Sequence, residues 1–327
     1  MDRVNAEQYL RRRISPDETF ADLLRYPRFI EIETVNACNA RCPMCTIDDW
    51  QRHTPTMKET VFRHIALDIA AHADQVKRVS LYRDGEPLLD KKLPDRVAIL
   101  KEGGVREVTI STNVSLLDEE RSRALLDADL DLIIMSIDSL KKDVFESIRV
   151  RLDFDEVLGN AERFIRLRDE INPKTRIWMR MIRQDSNRDE WPAYQAFWSE
   201  RMAPTDRIYH HNIFNWGGQL GGFKPISESY EPNLPCVALW SLLVIFANGD
   251  VPLCNVDYNN KYPNGNVLKS SIEEVWRSKV MAERRRLHIS GEKGCISLCE
   301  KCNVWQEPEG QDKLISSEYA EKVALTA

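Results

Sequence analysis

Cys38, Cys42 and Cys45 form a C-x3-C-x2-C run within the stretch from Thr34 to Cys45, with Pro43 and Met44 between the last two. Three thiolates on one short loop, with no further cysteine before Cys236, make an incomplete ligand set. A structural zinc site wants four ligands closed into a tetrahedron. A 4Fe–4S cube held by three cysteines keeps one iron open to another molecule, and chemistry can happen at that vacancy. The other five cysteines lie in the last third of the chain: Cys236, Cys254, Cys295, Cys299 and Cys302. Cys236 and Cys254 with the C-x2-C pair Cys299 and Cys302 make a two-plus-two set, sufficient either for a closed cluster or for zinc. Cys295 is left over. Three roles fit it: a ligand in place of Cys299, an inert packed thiol, or a hydrogen-atom donor to a substrate radical.

The bulk of the sequence suits such metal chemistry. Eight cysteines in 327 residues are too few for a disulfide scaffold. The N-terminus lacks the apolar core of a secretory signal, so a reducing, cytoplasmic setting is expected, where clustered cysteines serve as metal or redox ligands. No apolar run approaches the roughly 20 residues of a membrane helix, so no membrane partner is expected. The net charge is −6, from 46 basic and 52 acidic residues, and the basic knot Arg11 to Arg13 is short. Nucleic acid is therefore not an expected partner.

The elements that must position these cysteines alternate. Strands are predicted over 29–34, 78–82, 107–111, 132–137, 176–182 and 207–214. Helices between them begin near Thr60, Asp95, Asp118 and Lys141. Such alternation predicts βαβ units around a parallel sheet. Six units do not close an eight-stranded barrel, so the expected class is α/β, a partial (β/α)6 barrel. Its reactive face is expected at the C-terminal strand ends. The loop of Cys38 to Cys45 directly follows the first strand. Ahead of it, residues 1–27 read as a helical segment, with Ser15-Pro16-Asp17-Glu18 as a helix start. The barrel is expected over 28–216 and a Gly- and Pro-containing connector over 217–235. A small cysteine-rich β-hairpin/helix domain is expected over 236–305 and a tail over 306–327. The hairpin is placed at 242–253 around an Asn248-Gly249 turn. A helix is expected from Ser271 to Arg286.

The cysteine loop, with Asn36 before Cys38 and Asn39 after it, resembles the signature of the radical S-adenosylmethionine (SAM) enzymes. The later pattern of Cys236, Gly249 to Cys254, Gly265-Asn266, Trp276 and the final cysteines resembles the SPASM/twitch extension. Together the two cover about residues 28 to 305. The resemblance implies a SAM-binding 4Fe–4S cluster on Cys38, Cys42 and Cys45. It implies a second, auxiliary 4Fe–4S cluster on Cys236, Cys254, Cys299 and Cys302. SAM would chelate the open iron, and one-electron reduction would release a 5′-deoxyadenosyl radical that takes a substrate hydrogen. An external one-electron donor such as flavodoxin or ferredoxin is implied as partner.

Further positions match the family's SAM-binding places. Asp84-Gly85-Glu86-Pro87 resembles its Gly-Gly-Glu turn, with Asp84 in place of the first glycine and Glu86 directed at the methionyl ammonium. Asn113, after the third strand, would reach the ribose or carboxylate. Ser136 and Asp138, two apart and so on one strand face, would meet ribose hydroxyls; a helix cap is the plain alternative for Asp138. Arg180 would pair with the SAM carboxylate or sit in a salt bridge. Met44 takes the place of an aromatic near adenine. Tyr82, Trp216, His210 and His211 are further candidates for the pocket wall.

An auxiliary cluster can accept the electron left after hydrogen abstraction, which completes an oxidation; hydrogen return from a thiol instead inverts a stereocentre. The expected activity is oxidation or epimerisation of a small hydroxylated molecule of aminocyclitol or sugar type. Fewer than 40 residues precede Cys38, and their helical character does not suit a strand-adding peptide clamp. Peptide modification is the runner-up reading. A non-catalytic metal-binding or electron-transfer module is the reading from a different class.

Overall fold

The computed structural model of the chain describes residues 3–213, 215–221 and 234–302. Most of the expected connector, the end of the cysteine-rich region and the expected tail lie outside the described residues. Seven parallel strands form one open sheet: β1 (Phe29–Ile32), β2 (Arg78–Ser80), β3 (Val108–Thr112), β4 (Leu132–Ser136), β5 (Arg176–Arg183), β6 (Arg207–Asn212) and β7 (Leu242–Ile245). Their order is β6-β5-β4-β3-β2-β1-β7. The barrel is partial, as the strand count predicts, but it gains a strand.

That gain corrects the expected hairpin. β7 pairs in parallel with β1, Phe29 opposite Leu242 and Ile32 opposite Ile245. After the Asn248-Gly249 turn, β8 (Asp250–Val251) pairs instead with β9 (Gly265–Asn266), antiparallel. The physical reason is the open edge of β1. An edge strand presents unpaired N–H and C=O groups, and the apolar run Leu242 to Ile245 satisfies them while burying all four side chains. The C-terminal region is thereby sewn into the sheet that carries the first cysteine loop.

Strand alternation sorts the side chains into two layers. Ile133 and Met135 of β4 face the helices, where Phe62, Ile65 and Ile69 from Glu59–Ala71 and Val157, Ala161 and Phe164 from Phe154–Ile171 complete the main core. Leu132 and Ile134 face the concave interior with Trp178, Tyr209 and Tyr82. These fill the bottom of the barrel, where Glu107 is shared by Arg78 and Arg176. One step further along the same faces stand Ser111, Ser136 and Arg180, at the open top.

Two local expectations differ. Ser15 to Glu18 is a turn after the helix Arg3–Ile14, and the next helix, Phe20–Leu23, is capped by Thr19 in a capping box with Asp22. The expected helix from Ser271 divides into Ile272–Trp276 and Lys279–Ile289, each capped by its own serine, Ser271 and Ser278. No helix among the described residues is long and apolar enough to cross a membrane.

Candidate active site

The loop after β1 is irregular up to the turn Ile47–Asp49 and is held by its neighbours. Asn113 Nδ2 donates to Asn39 Oδ1 at 2.9 Å, Asn39 Nδ2 to Ser115 Oγ at 2.8 Å, and Ser115 Oγ to Asn113 Oδ1 at 2.7 Å. This closed ring of three polar side chains pins the loop to the end of β3. The turn after β2 pins it from below. Glu86 N–H donates to Ala37 O at 2.8 Å. A Cβ on Gly85 would stand 2.3 Å from Val35 O. Close backbone approach therefore requires glycine at 85, while Asp84 serves another purpose.

All three thiols border one cavity at the top of the barrel, with Met44, Asp84, Gly85, Glu86, Asn113, Ser136 and Arg180 also on its wall. The residues expected around SAM and its cluster thus converge, except Asp138. Tyr82 and Trp216 line the cavity too, and the Trp216 indole N–H donates to Met44 O at 3.0 Å. His210 packs edge-on against Trp191 and His211 against Tyr209, and neither is on the wall.

Charge inside this cavity is organised. The buried Glu86 carboxylate accepts from Thr112 Oγ1 at 2.7 Å, Asn113 N–H at 2.8 Å and Leu88 N–H at 3.1 Å. Burial pushes its pKa up against these bonds, and they direct it at the end of β3. Arg180 donates to Ser136 Oγ at 2.5 Å and Ser111 Oγ at 3.2 Å. Its Nε is buried without a partner, so this cation is bracketed by hydroxyls and suits an incoming anion.

Asp138 departs from expectation. Its carboxylate takes Arg149 Nε at 2.6 Å and Ile182 N–H at 2.6 Å, and it neither reaches the cavity wall nor caps a helix. β4 ends at Ser136, so alternation no longer governs residue 138. Asp138 instead holds Arg149, whose Nη1 lies 3.8 Å from Cys42 Sγ. Burial opposes the Arg149 charge, but Asp138 and the Cys42 thiol outweigh it and hold the pKa up. Arg149 lines the cavity and belongs to no sequence motif. Only its position just past a helix end after β4 could have drawn notice.

A five-charge network links this cavity to the C-terminal region. Arg52 meets Glu33 at 2.6 Å and Asp84 at 3.0 Å, and Arg83 meets Asp84 at 3.2 Å and Glu31 at 3.7 Å. Glu33 also accepts the Ala247 N–H, and Arg52 Nε donates to Tyr258 O at 2.6 Å. The substituted first position of the Gly-Gly-Glu-like turn is therefore an inter-region ion anchor.

Cys236, Cys254, Cys299 and Cys302 border a second, rear cavity together with His288. Cys295 is exposed and lines neither cavity. Among the described residues no three His, Cys, Asp or Glu side chains stand close enough to share one metal ion. The four thiols line one cavity, and four thiolates are the donor set of a closed 4Fe–4S cluster. At the front, three half-buried thiols lining one cavity fit a cube with a free iron, and the Arg180 cation fits a carboxylate beside it. Burial pushes the Cys38 thiol up to about 11, Cys45 up to about 12 and Cys236 up to about 12.

A three-cysteine loop at the C-terminal strand ends of a partial barrel, followed by a four-cysteine cavity, defines a class. The chain belongs to the radical SAM superfamily, matched over residues 32–177, and carries an iron–sulfur cluster-binding SPASM domain, matched over 236–303. It is a radical SAM enzyme whose cofactors are SAM and two 4Fe–4S clusters. It is similar to a GTP 3′,8-cyclase of Chlorobaculum tepidum, 33% identical over 199 residues, 59% of this chain but only 58% of the cyclase. It is similar along most of its length to the S-adenosyl-L-methionine-dependent 2-deoxy-scyllo-inosamine dehydrogenase of Niallia circulans. That identity is 22% over 275 residues, 84% of this chain and 92% of the dehydrogenase. Among solved structures, BtrN in complex with AdoMet and 2-DOIA shares the fold with a TM-score of 0.57 at 21% identity, covering 85% of this chain and 93% of that one.

Proposed function

We propose that the chain is a radical SAM dehydrogenase that oxidises a small hydroxylated molecule of the aminocyclitol or sugar type. The observation that carries this reading is the pairing, in one chain, of a three-thiol cavity with a separate four-thiol cavity. Cys38, Cys42 and Cys45 would hold the SAM cluster, with the fourth iron left for SAM. Cys236, Cys254, Cys299 and Cys302 would hold the auxiliary cluster. When bound, these cofactors supply a 5′-deoxyadenosyl radical at the front and a one-electron acceptor at the rear.

The chain's own residues would bind, orient and exclude water. Arg180, set by Ser111 and Ser136, would take the SAM carboxylate; Asn113 and Ser136 would face the ribose, and Met44 the adenine. The Glu86 turn would present backbone groups to the methionyl ammonium. Arg83, Tyr82 and Trp216 leave a wall of hydrogen-bonding and aromatic groups suited to a polyhydroxylated ring. Exposure of Cys295 away from both cavities favours dehydrogenation over epimerisation, since hydrogen return needs a thiol facing the substrate. Likeness to the inosamine dehydrogenase over 92% of that protein supports the same choice of substrate class.

The test is anaerobic reconstitution followed by reduction with SAM and a panel of aminocyclitols, sugars and nucleotides. The expected result is 5′-deoxyadenosine formed in step with a new carbonyl, without solvent deuterium in the product. Solvent deuterium retained at carbon, lost on Cys295→Ala, would establish epimerisation instead. No 5′-deoxyadenosine under any condition would sink the catalytic reading.

A further inference from the structure

His288 borders the rear cavity beside the four thiols, at the last turn of the helix Lys279–Ile289 and 1% exposed. Its Nδ1 accepts the backbone N–H of Cys236 at 3.2 Å. That bond fixes the neutral tautomer, so the ring proton is on Nε2. Nε2 is fully buried and has no hydrogen-bond partner. A buried N–H without an acceptor costs about 1–3 kcal/mol, and a histidine serving only the core would have both nitrogens satisfied. A protonated Nε2 also cannot be a metal ligand. What remains is a donor waiting for an acceptor that the polypeptide does not provide.

We propose that His288 donates a hydrogen bond through Nε2 to a sulfur of the cluster held by Cys236, Cys254, Cys299 and Cys302, and thereby raises its reduction potential. The proposal rests on the two-cluster reading given above. A donor aimed at cluster sulfur favours the more negative, reduced state. Reduction adds one electron to the cluster and moves no proton, because the imidazole stays a neutral donor in both states. The Nδ1 lone pair, already accepting the Cys236 N–H, leaves no site for a second ring proton. Lys293 is itself buried and acts electrostatically on Cys236 and Cys299, so charge and hydrogen bond work in the same direction.

The experiment is an EPR-monitored redox titration of the anaerobically reconstituted chain in which Cys38, Cys42 and Cys45 are replaced by Ala, so that only the rear cluster reports. His288→Leu is expected to lower the reduced-to-oxidised ratio at fixed potential about tenfold, which is about 59 mV for one electron. His288→Gln, which keeps an amide N–H, is expected to fall between. An unchanged midpoint in a His288→Leu chain with full iron and sulfide overturns the proposal. A second measurement needs no change at 288: with isotopically labelled histidine, pulsed EPR of the reduced rear cluster is expected to show coupling to a histidine nitrogen. Its absence overturns the proposal even where His288→Leu loses iron. Metal content separates this from the underlying reading. About four irons per chain uphold the rear cluster whatever His288 does, whereas zinc in their place overturns the reading itself.

Discussion

The front and rear cavities hold the same chemical group, a cysteine thiol, in different electrostatic settings. At the front, Glu86 acts on Cys38, Asp138 on Cys42 and Asp84 on Cys45, while Arg149 acts the other way on Cys38 and, more strongly than Asp138, on Cys42. At the rear, the charged side chains acting on Cys299 besides other thiols are Lys293 and Arg284, and Lys293 acts on Cys236. At an effective dielectric of about 20, a unit charge about 8 Å away is worth about 2 kcal/mol. Carboxylates resist an added electron and cations welcome it. The front thiols thus meet carboxylates offset by Arg149, and the rear thiols meet Lys293 and Arg284, a contrast that fits the electron-accepting role proposed for the rear cluster.

Removing one ligand from each side breaks the comparison most directly. Cys42→Ala is expected to abolish 5′-deoxyadenosine formation while leaving the rear cluster's EPR signal. Cys254→Ala is expected to keep uncoupled SAM cleavage and to lower oxidised product on the order of a hundredfold. Equal loss of both products in the two variants would show that the rear cavity serves folding and not electron transfer. Next in size is the link between the regions. Arg52→Met leaves Glu33 and Asp84 buried without their shared cation, so it is expected to cost about 3–5 kcal/mol, read by chemical denaturation. Glu33→Gln retains the Ala247 contact geometry and is expected to cost less. A small effect of Arg52→Met would mean that β7 alone joins the two regions.

The two regions also differ in how far the sequence discloses them. The front loop is legible because a strand, three cysteines and flanking asparagines all lie within residues 29–45. The inward face of β4 and β5 follows from alternation, which correctly places Ser136 beside Arg180, paired in the sheet. The same rule fails at Asp138 because the strand has ended. β7 was hidden by a strong turn signal at Asn248-Gly249, while its true partner, β1, lies some two hundred residues earlier. No local pattern announces such a pairing. Arg149 and His288 are single residues on helix ends. His288 stands two residues past Arg284 to Arg286 with no motif around it, and only the folded chain brings it to the cavity of the thiols.

The Arg149 side chain sharpens the comparison at the front. Arg149→Gln removes the cation nearest Cys42 and leaves Asp138 unbalanced. SAM cleavage is expected to fall about 10–100-fold, with the front cluster's midpoint lowered and the rear midpoint unmoved. Arg149→Lys should recover part of the shift, since it restores charge without the Asp138 fork. A change confined to the SAM KM, with both midpoints constant, would reassign Arg149 from the cluster to SAM itself.

The smallest expected effect is one in which the two regions should behave alike. In the metal-free chain, burial is the largest influence on every thiol for which a shift is resolved, front and rear, and raises them all. An unfolded cysteine ionises near about pH 8.5, so above that pH the folded chain binds more protons than the unfolded one. Stability then falls as pH rises. The contribution is fully present below about pH 8.5 and is lost as pH climbs toward the folded values near 11 and 12 of Cys38, Cys45 and Cys236. By pH 9 the loss is about 1 kcal/mol or less per thiol, read as a decline in Tm between pH 8 and 10. Replacing Cys38, Cys42 and Cys45 by Ala should remove about the same share of that slope as replacing Cys236, Cys254 and Cys299. Cluster loading should flatten it, because ligated sulfur no longer takes up a proton. Unequal shares would mean that the carboxylates and cations already separate front from rear before any metal arrives.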